Sequence, residues 1–135
     1  MPQSSGSAAP AGDAGPSPGG DRLRHLRHSL IDWLDRERVR AERILVIGAG
    51  AIGNEVLKNL ALLGVGEIHV FDFDRIEEHN LTRAVLFRES DVGRPKAACA
   101  AERVRELDPS VRVTGYEGDF WDCLGFDLLR GATGV

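Results

Sequence analysis

The stretch ILVIGAGAIGNEVLKNLALLG, residues 44–64, constrains the fold more than any other part of the chain. The continuous apolar run at 44–47 suits a strand of a parallel sheet, because strands covered on both faces read as nearly unbroken hydrophobic sequence. Gly48-Ala49-Gly50-Ala51-Ile52-Gly53 follows at once and fits G-x-G-x-x-G. In that motif the first glycine permits a tight turn, the second lets backbone approach a phosphate, and the third allows helix to pack closely on strand. Val56, Leu57, Leu60 and Leu63 then recur at helical spacing, and Gly64 is a natural left-handed stop. EIHVFD, residues 67–72, reads as a second strand, so the whole is one βαβ unit. The first N–H groups of such a helix suit an anion, and Asp72 at the tip of the second strand is placed to accept hydrogen bonds from a ribose. The frame continues as Asn54-Glu55, without the Lys and Ser/Thr of a P-loop, which argues against a Walker-type site. Taken alone, the fingerprint favours NAD or FAD.

The rest of the chain supports one α/β domain, as its 135 residues suggest. Residues 1–20 are Pro/Gly/Ser/Ala-rich and are expected to be a disordered tail, since they cannot bury enough apolar surface to offset the entropy of ordering. Residues 21–42 carry Leu23, Leu26, Leu30 and Leu34 at helical spacing and predict an amphipathic helix, with Trp33 and Trp121 expected to pack. Residues 43–135 form the nucleotide-binding part: after the βαβ unit comes a long loop at 73–93, with a helical turn expected around LTRAVLF. A helix over KAACAAERVREL and a strand beginning at VRV, 111–113, follow. The remainder offers a short helix and the start of a fourth strand. The expected fold is a Rossmann-like, doubly wound, mainly parallel sheet that stops after three to four strands.

A net charge of -4 argues against a general nucleic-acid binder, which needs a surplus of Lys and Arg. No apolar run is long enough for a membrane span and no signal peptide is evident, so a cytoplasmic protein is expected. Cys99 and Cys123 belong to no CxxC pair and read as ordinary thiols.

The loop after Asp72 holds the polar groups that distinguish one nucleotide chemistry from another. Asp74, Asn80 and Arg83 occur there, and GRPK brings Lys96 to the start of the next helix. These groups should face the crevice at the carboxyl ends of the strands, where open α/β sheets bind ligands. Two cations suit a triphosphate under attack, because they stabilise charge accumulating at phosphorus and on departing pyrophosphate; hydride transfer generates no such charge.

VIGAGAIGNEVLKNLALLGVG, DFDRIEEHNLTR and DVGRPKAACAAERVRELDP, in that order, resemble the ThiF/MoeB/HesA group of ubiquitin-activating-enzyme-like adenylyltransferases. The resemblance runs from about Arg43 to Val113. It implies binding of ATP and Mg²⁺, adenylation of the carboxyl-terminal glycine of a ubiquitin-like or sulfur-carrier protein, and action as a homodimer or pseudodimer. By the same resemblance Gly48, Gly50 and Gly53 form the nucleotide turn, Asp72 holds the ribose, and Asn80, Arg83 and Lys96 approach the phosphates, with Arg83 and Lys96 catalytic. Asp74 is either loop-organising or metal-linked. Ala84 stands where the family commonly has Gln, and Arg24 or Arg27 is the candidate for an arginine that reaches a partner's ATP. Cys99 does not match a thioester position. The resemblance also implies further elements beyond this chain, so residues 1–135 are expected not to adenylate a carrier unaided. An NAD-dependent oxidoreductase and a non-catalytic nucleotide-binding or dimerisation module are the rival readings.

Overall fold

The computed structural model describes residues 23–135, so the tail at 1–20 lies outside the described residues. Strands β1 (Arg43–Ile47), β2 (Glu67–Asp72) and β3 (Arg112–Glu117) form a parallel sheet in the order β1-β2-β3. Helix α2 (Ala51–Leu63) crosses between the first pair and α3 (Lys96–Leu107) between the second. The short helix α1 (Arg36–Ala41) precedes the sheet, while α4 (Phe120–Cys123) and α5 (Phe126–Gly131) follow it.

The register explains the layers. Ile44, Ile68 and Val113 align across the sheet, as do Val46, Val70 and Gly115. Because strand side chains alternate, these rows share one face. They pack with Leu57 and Ala61 of α2 and with Ala97, Ala100 and Val104 of α3. The alanines let α3 approach closely: a Cβ at Gly115 would lie under 3.0 Å from the Ala97 carbonyl. Leu45, His69, Phe71 and Tyr116 lie on the opposite face. There Phe71 stacks on Tyr116 with centroids 4.6 Å apart and meets the edge of Phe120 from α4 at 5.3 Å. Helical segments therefore lie on both sides of the sheet, as expected.

The expected fourth strand is a single parallel bridge. Gly134 pairs with Ile44, and the Leu45 amide donates to the Gly134 carbonyl at 2.9 Å. Since β2 occupies the other edge of β1, strand order reverses at β1. That is a topological switch point, where such sheets form a ligand crevice.

The amphipathic helix expected over 21–42 is not formed as one element within the described residues. Leu26–Leu30 is a 3-10 turn, Ile31 is extended, and α1 starts afresh because the Asp35 side chain accepts from the Arg38 amide at 3.1 Å. The leucine stripe has no apolar face to meet: Leu23, Leu26 and Leu30 are exposed, and His25 is the buried residue instead. Its Nε2 lies 3.1 Å from Asp108, while Arg24 donates to the Leu107 carbonyl and Arg36 to the Leu63 carbonyl, the latter at 2.6 Å. Two arginines thus tie the segment to the carboxyl ends of α3 and α2, where cations meet unpaired carbonyls and the negative end of the helix dipole, and His25 adds a contact to Asp108 at the end of α3. Trp33 and Trp121 are 84% and 81% exposed, so neither is a core residue as expected; Trp121 meets Phe120 edge-on at 5.3 Å.

The loop joining β2 to α3 is ordered by short-range pairing and one buried carboxylate. An antiparallel bridge joins Arg75 to Pro95, and Ile76, 1% exposed, anchors the loop in the core. The helical turn falls at Glu78–Thr82, slightly earlier than expected. Both oxygens of Asp91 accept from Arg103 at 2.8 Å, and Arg94 adds a third bond at 3.0 Å. Burial raises the Asp91 pKa, but these bonds and the Arg88 amide outweigh it and hold the carboxyl below its usual range. No described helix is long and apolar enough to cross a membrane.

Candidate functional site

The glycine turn is shaped by two distinct requirements. Gly48 has φ +94°, in the left-handed region that other residues avoid, and nothing lies within 4 Å of a Cβ added there or at Gly50. Gly53 is different: an added Cβ would lie under 3.0 Å from both the carbonyl carbon and the oxygen of Gly48. The first two positions leave open space beside the turn, and the third lets α2 close against it. Gly50 is the N-cap of α2 and provides no side-chain cap, so the helix presents uncapped N–H groups to that space.

Asp72 joins the turn to the loop that follows β2. Its Oδ2 accepts the Ala49 amide at 2.7 Å and its Oδ1 the Asp74 amide at 2.7 Å. Each oxygen has a second lone pair, so the carboxylate can organise backbone and still accept from hydroxyls. Asp74 in turn meets Lys96 twice: its carbonyl accepts the Lys96 amide at 2.9 Å, and its carboxylate accepts from Nζ at 3.0 Å. Ala49, Asp72, Asp74 and Lys96 therefore form one continuous set of contacts across the tips of β1 and β2 and the start of α3. The Lys96 side chain is 11% exposed, which holds its ammonium in place beside that crevice.

Asn80 and Arg83 stand apart from this set. Asn80 Oδ1 accepts the Glu77 amide at 2.9 Å, closing a capping box that holds the 3-10 turn. Arg83 is exposed, and among the described residues its guanidinium has no ion pair. Ala84 is buried in the core and fixes the end of the turn from which Arg83 projects. Arg24 is committed to the far end of α3, a helix whose 12 residues span roughly 18 Å from Lys96 at its start. Arg27 is exposed.

The turn also borders an apolar cavity of about 860 Å³ between α2 and the Gly134 side of β1, lined in part by Ile47, Ile52, Val56 and Leu60. It is lined by Gly48 and Gly50 of the glycine turn but includes none of Asp72, Asp74 or Lys96. Among the described residues no group of three or more His, Cys, Asp or Glu could hold a metal ion. Asp74 is paired with Lys96 and so contributes to the order of the loop. Cys99 is fully buried, and burial pushes its thiol pKa up, away from the reactive thiolate.

One central residue escaped the reading of the sequence. Asn54 has no exposed surface; its Nδ2 donates to the Ala49 carbonyl at 2.7 Å and the Gly50 carbonyl at 3.0 Å, and its Oδ1 accepts the Leu86 amide at 2.9 Å. A polar residue just past the third glycine was the available signal, but helical periodicity does not mark it as buried.

Known proteins resemble this chain in sequence and in fold. The NEDD8-activating enzyme E1 catalytic subunit of Arabidopsis thaliana is 57% identical over 92 residues, covering 68% of this chain and 17% of that protein. The sulfur carrier protein adenylyltransferase of Thermus thermophilus is 44% identical over 95 residues, covering 70% and 35% respectively. Among solved structures, E. coli MccB with ATP superposes with a TM-score of 0.62 at 32% identity, covering 70% of this chain and 27% of that one. The chain spans between 11% and 36% of the lengths of the curated relatives it matches. The sequence model of the ThiF family matches residues 23–135, taking in every described element of the sheet and the glycine turn, and the chain belongs to that family.

Proposed function

We propose that this chain carries the nucleotide-binding part of an adenylating domain that activates the carboxyl terminus of a ubiquitin-like or sulfur-carrier protein with ATP. The observation that carries the reading is the contact path from the glycine turn through Asp72 and Asp74 to Lys96, in a chain of the ThiF family. Names of relatives support it: two are E1-type activating enzymes or adenylyltransferases, and a solved neighbour was obtained with ATP.

In this reading the N–H groups at the start of α2 meet phosphate oxygens and Asp72 accepts from the ribose hydroxyls. Lys96 supplies a fixed ammonium at the phosphates: it has three N–H donors and Asp74 takes one, leaving two. Arg83, exposed on its turn, is free to swing toward a triphosphate, and Asn80 shapes that turn. The reaction class is attack of a carrier carboxylate on the α-phosphate, giving an acyl-adenylate and pyrophosphate. Arg83 and Lys96 face charge that grows during this step, so they act on rate more than on ground-state binding. In a dimer or pseudodimer, Arg27 is the arginine available to a partner's site, because Arg24 is held at the end of α3.

Competition between ATP and NAD tests the reading, since the glycine turn and Asp72 would serve either nucleotide and Lys96 favours the triphosphate. ATP should bind in preference, and in an active full-length protein Lys96→Ala should lower the adenylation rate more than the ATP affinity. NAD displacing ATP at equal concentration would refute the assignment.

A further inference from the structure

The geometry points to Asn54 as the positioning residue that aims the phosphate-facing N–H groups of the glycine turn and keys them to the loop bearing Arg83, an inference that rests on the nucleotide reading above. In a trans peptide the carbonyl and the following N–H point in opposite directions. The Ala49 carbonyl is drawn inward to Asn54 Nδ2 at 2.7 Å, so the Gly50 N–H of that same peptide unit points outward. The Gly50 carbonyl accepts both the Asn54 amide at 2.8 Å and Nδ2 at 3.0 Å, so the Ala51 N–H is turned outward as well. These two N–H groups open the α2 helix beside the space left at Gly48 and Gly50.

The other end of the same amide fixes the second phosphate-facing element. Asn54 Oδ1 accepts the Leu86 amide at 2.9 Å, and Leu86 follows Arg83 by one buried residue, Ala84, and one exposed residue, Val85. A single side chain with no exposed surface thus sets the turn and the Arg83 loop in one frame. Aliphatic residues of this size would fill the volume but could not donate to two carbonyls and accept from a third backbone group. Aspartate could accept from Leu86 only by setting a second oxygen against the Ala49 and Gly50 carbonyls.

The consequence is selective. Adenosine meets Asp72, whose own hydrogen bonds do not involve Asn54, whereas the phosphates meet the groups that Asn54 aims. Calorimetric titration of the 135-residue chain with ATP and with adenosine separates the two. In Asn54→Ala, ATP affinity should fall by about tenfold or more while adenosine affinity stays within about twofold. Asn54→Ser, whose hydroxyl can still donate to the Gly50 carbonyl one helical turn back, should lie between. Circular dichroism checks that each variant folds, and the serine variant carries the test if the alanine variant does not. The inference is overturned if ATP affinity is unchanged in the folded variants, or if ATP and adenosine weaken in equal proportion, which would mark Asn54 as a general packing residue. A parent chain that binds neither ligand would overturn the nucleotide reading itself, and Asn54's role with it.

Discussion

Acid should weaken this fold first through Glu67, at the amino-terminal end of β2. Its carboxylate accepts from Arg43 at 3.2 Å, from Arg112 at 3.0 Å and from His69 Nε2 at 2.7 Å, and its side chain is 18% exposed. Burial raises its pKa, but hydrogen bonds from His69, Arg112 and Arg43, with the Arg43 charge, win and pull it from 4.5 down to about 2. The unfolded chain then binds the proton more readily than the folded one. Stability contributed by Glu67 is therefore complete above pH 4.5 and is lost as pH falls toward 2. At about 1.4 kcal/mol per pKa unit the contribution is about 3 kcal/mol at most, because Arg112 is largely exposed and its charge is screened by water. Urea unfolding of the parent chain and Glu67→Gln, followed from neutral pH down to about pH 3, measures it. The variant should be less stable at neutral pH and lose less on acidification, so that the two stabilities converge. Asp91 and Asp108 also have depressed pKa values, but both proteins keep them, and the difference between the curves isolates Glu67. Parallel curves at every pH would refute the assignment of the effect to this carboxylate.

Gly53→Ala should abolish nucleotide binding, because the new methyl would overlap the Gly48 carbonyl and push the turn away from α2; retained ATP affinity in titration would show that the turn can shift without loss. Asp91→Ala should cost roughly 3 to 5 kcal/mol in chemical unfolding, since it leaves Arg103, only 11% exposed, with a buried charge and no carboxylate at its centre. A loss under about 1 kcal/mol would show that Glu106 alone satisfies that arginine. Asp72→Ala should weaken ATP binding by roughly 1.5 to 3 kcal/mol, the worth of hydrogen bonds to a charged acceptor, and unchanged affinity would remove Asp72 from the site.

What could be read from the sequence were the places where local and tertiary demands coincide. β2 and α3 fall where their apolar patterns put them, and Gly48, Gly53 and Gly64 do what turn, packing and helix-stop chemistry require of them. The placement of Asp72 at the tip of β2 and of Lys96 at the start of α3 was legible for the same reason, since each ends or begins a regular element; the bond of Asp72 to the Ala49 amide and the pairing of Lys96 with Asp74 were not. Residues 21–42 were misread because a leucine stripe specifies a helix only if another apolar surface meets it. The competing force was polar: His25, Arg24 and Arg36 find helix carboxyl ends, and Asp35 starts a new helix. Asn54 and Asp91 were invisible for a related reason. Their partners mix near backbone groups and side chains with distant ones, Leu86 for Asn54 and Arg103 for Asp91, and no periodicity announces a buried polar residue held in that way.

Gly134 and β2 hold β1 from opposite edges, through contacts of very different sequence separation. The β2 edge joins residues separated by 24 positions, such as Arg43 and Glu67, whereas the contact between Arg43 and Thr133 spans 90. Closing the longer loop costs roughly 1 kcal/mol more in chain entropy, and among the described residues Thr133 and Gly134 supply the backbone bonds across that edge. The Leu45 amide, bonded to Gly134, should therefore exchange its hydrogen with solvent through local opening, while the amides of β2, between two partner strands, wait for the sheet to separate. Leu45 is 1% exposed, and it will exchange early all the same.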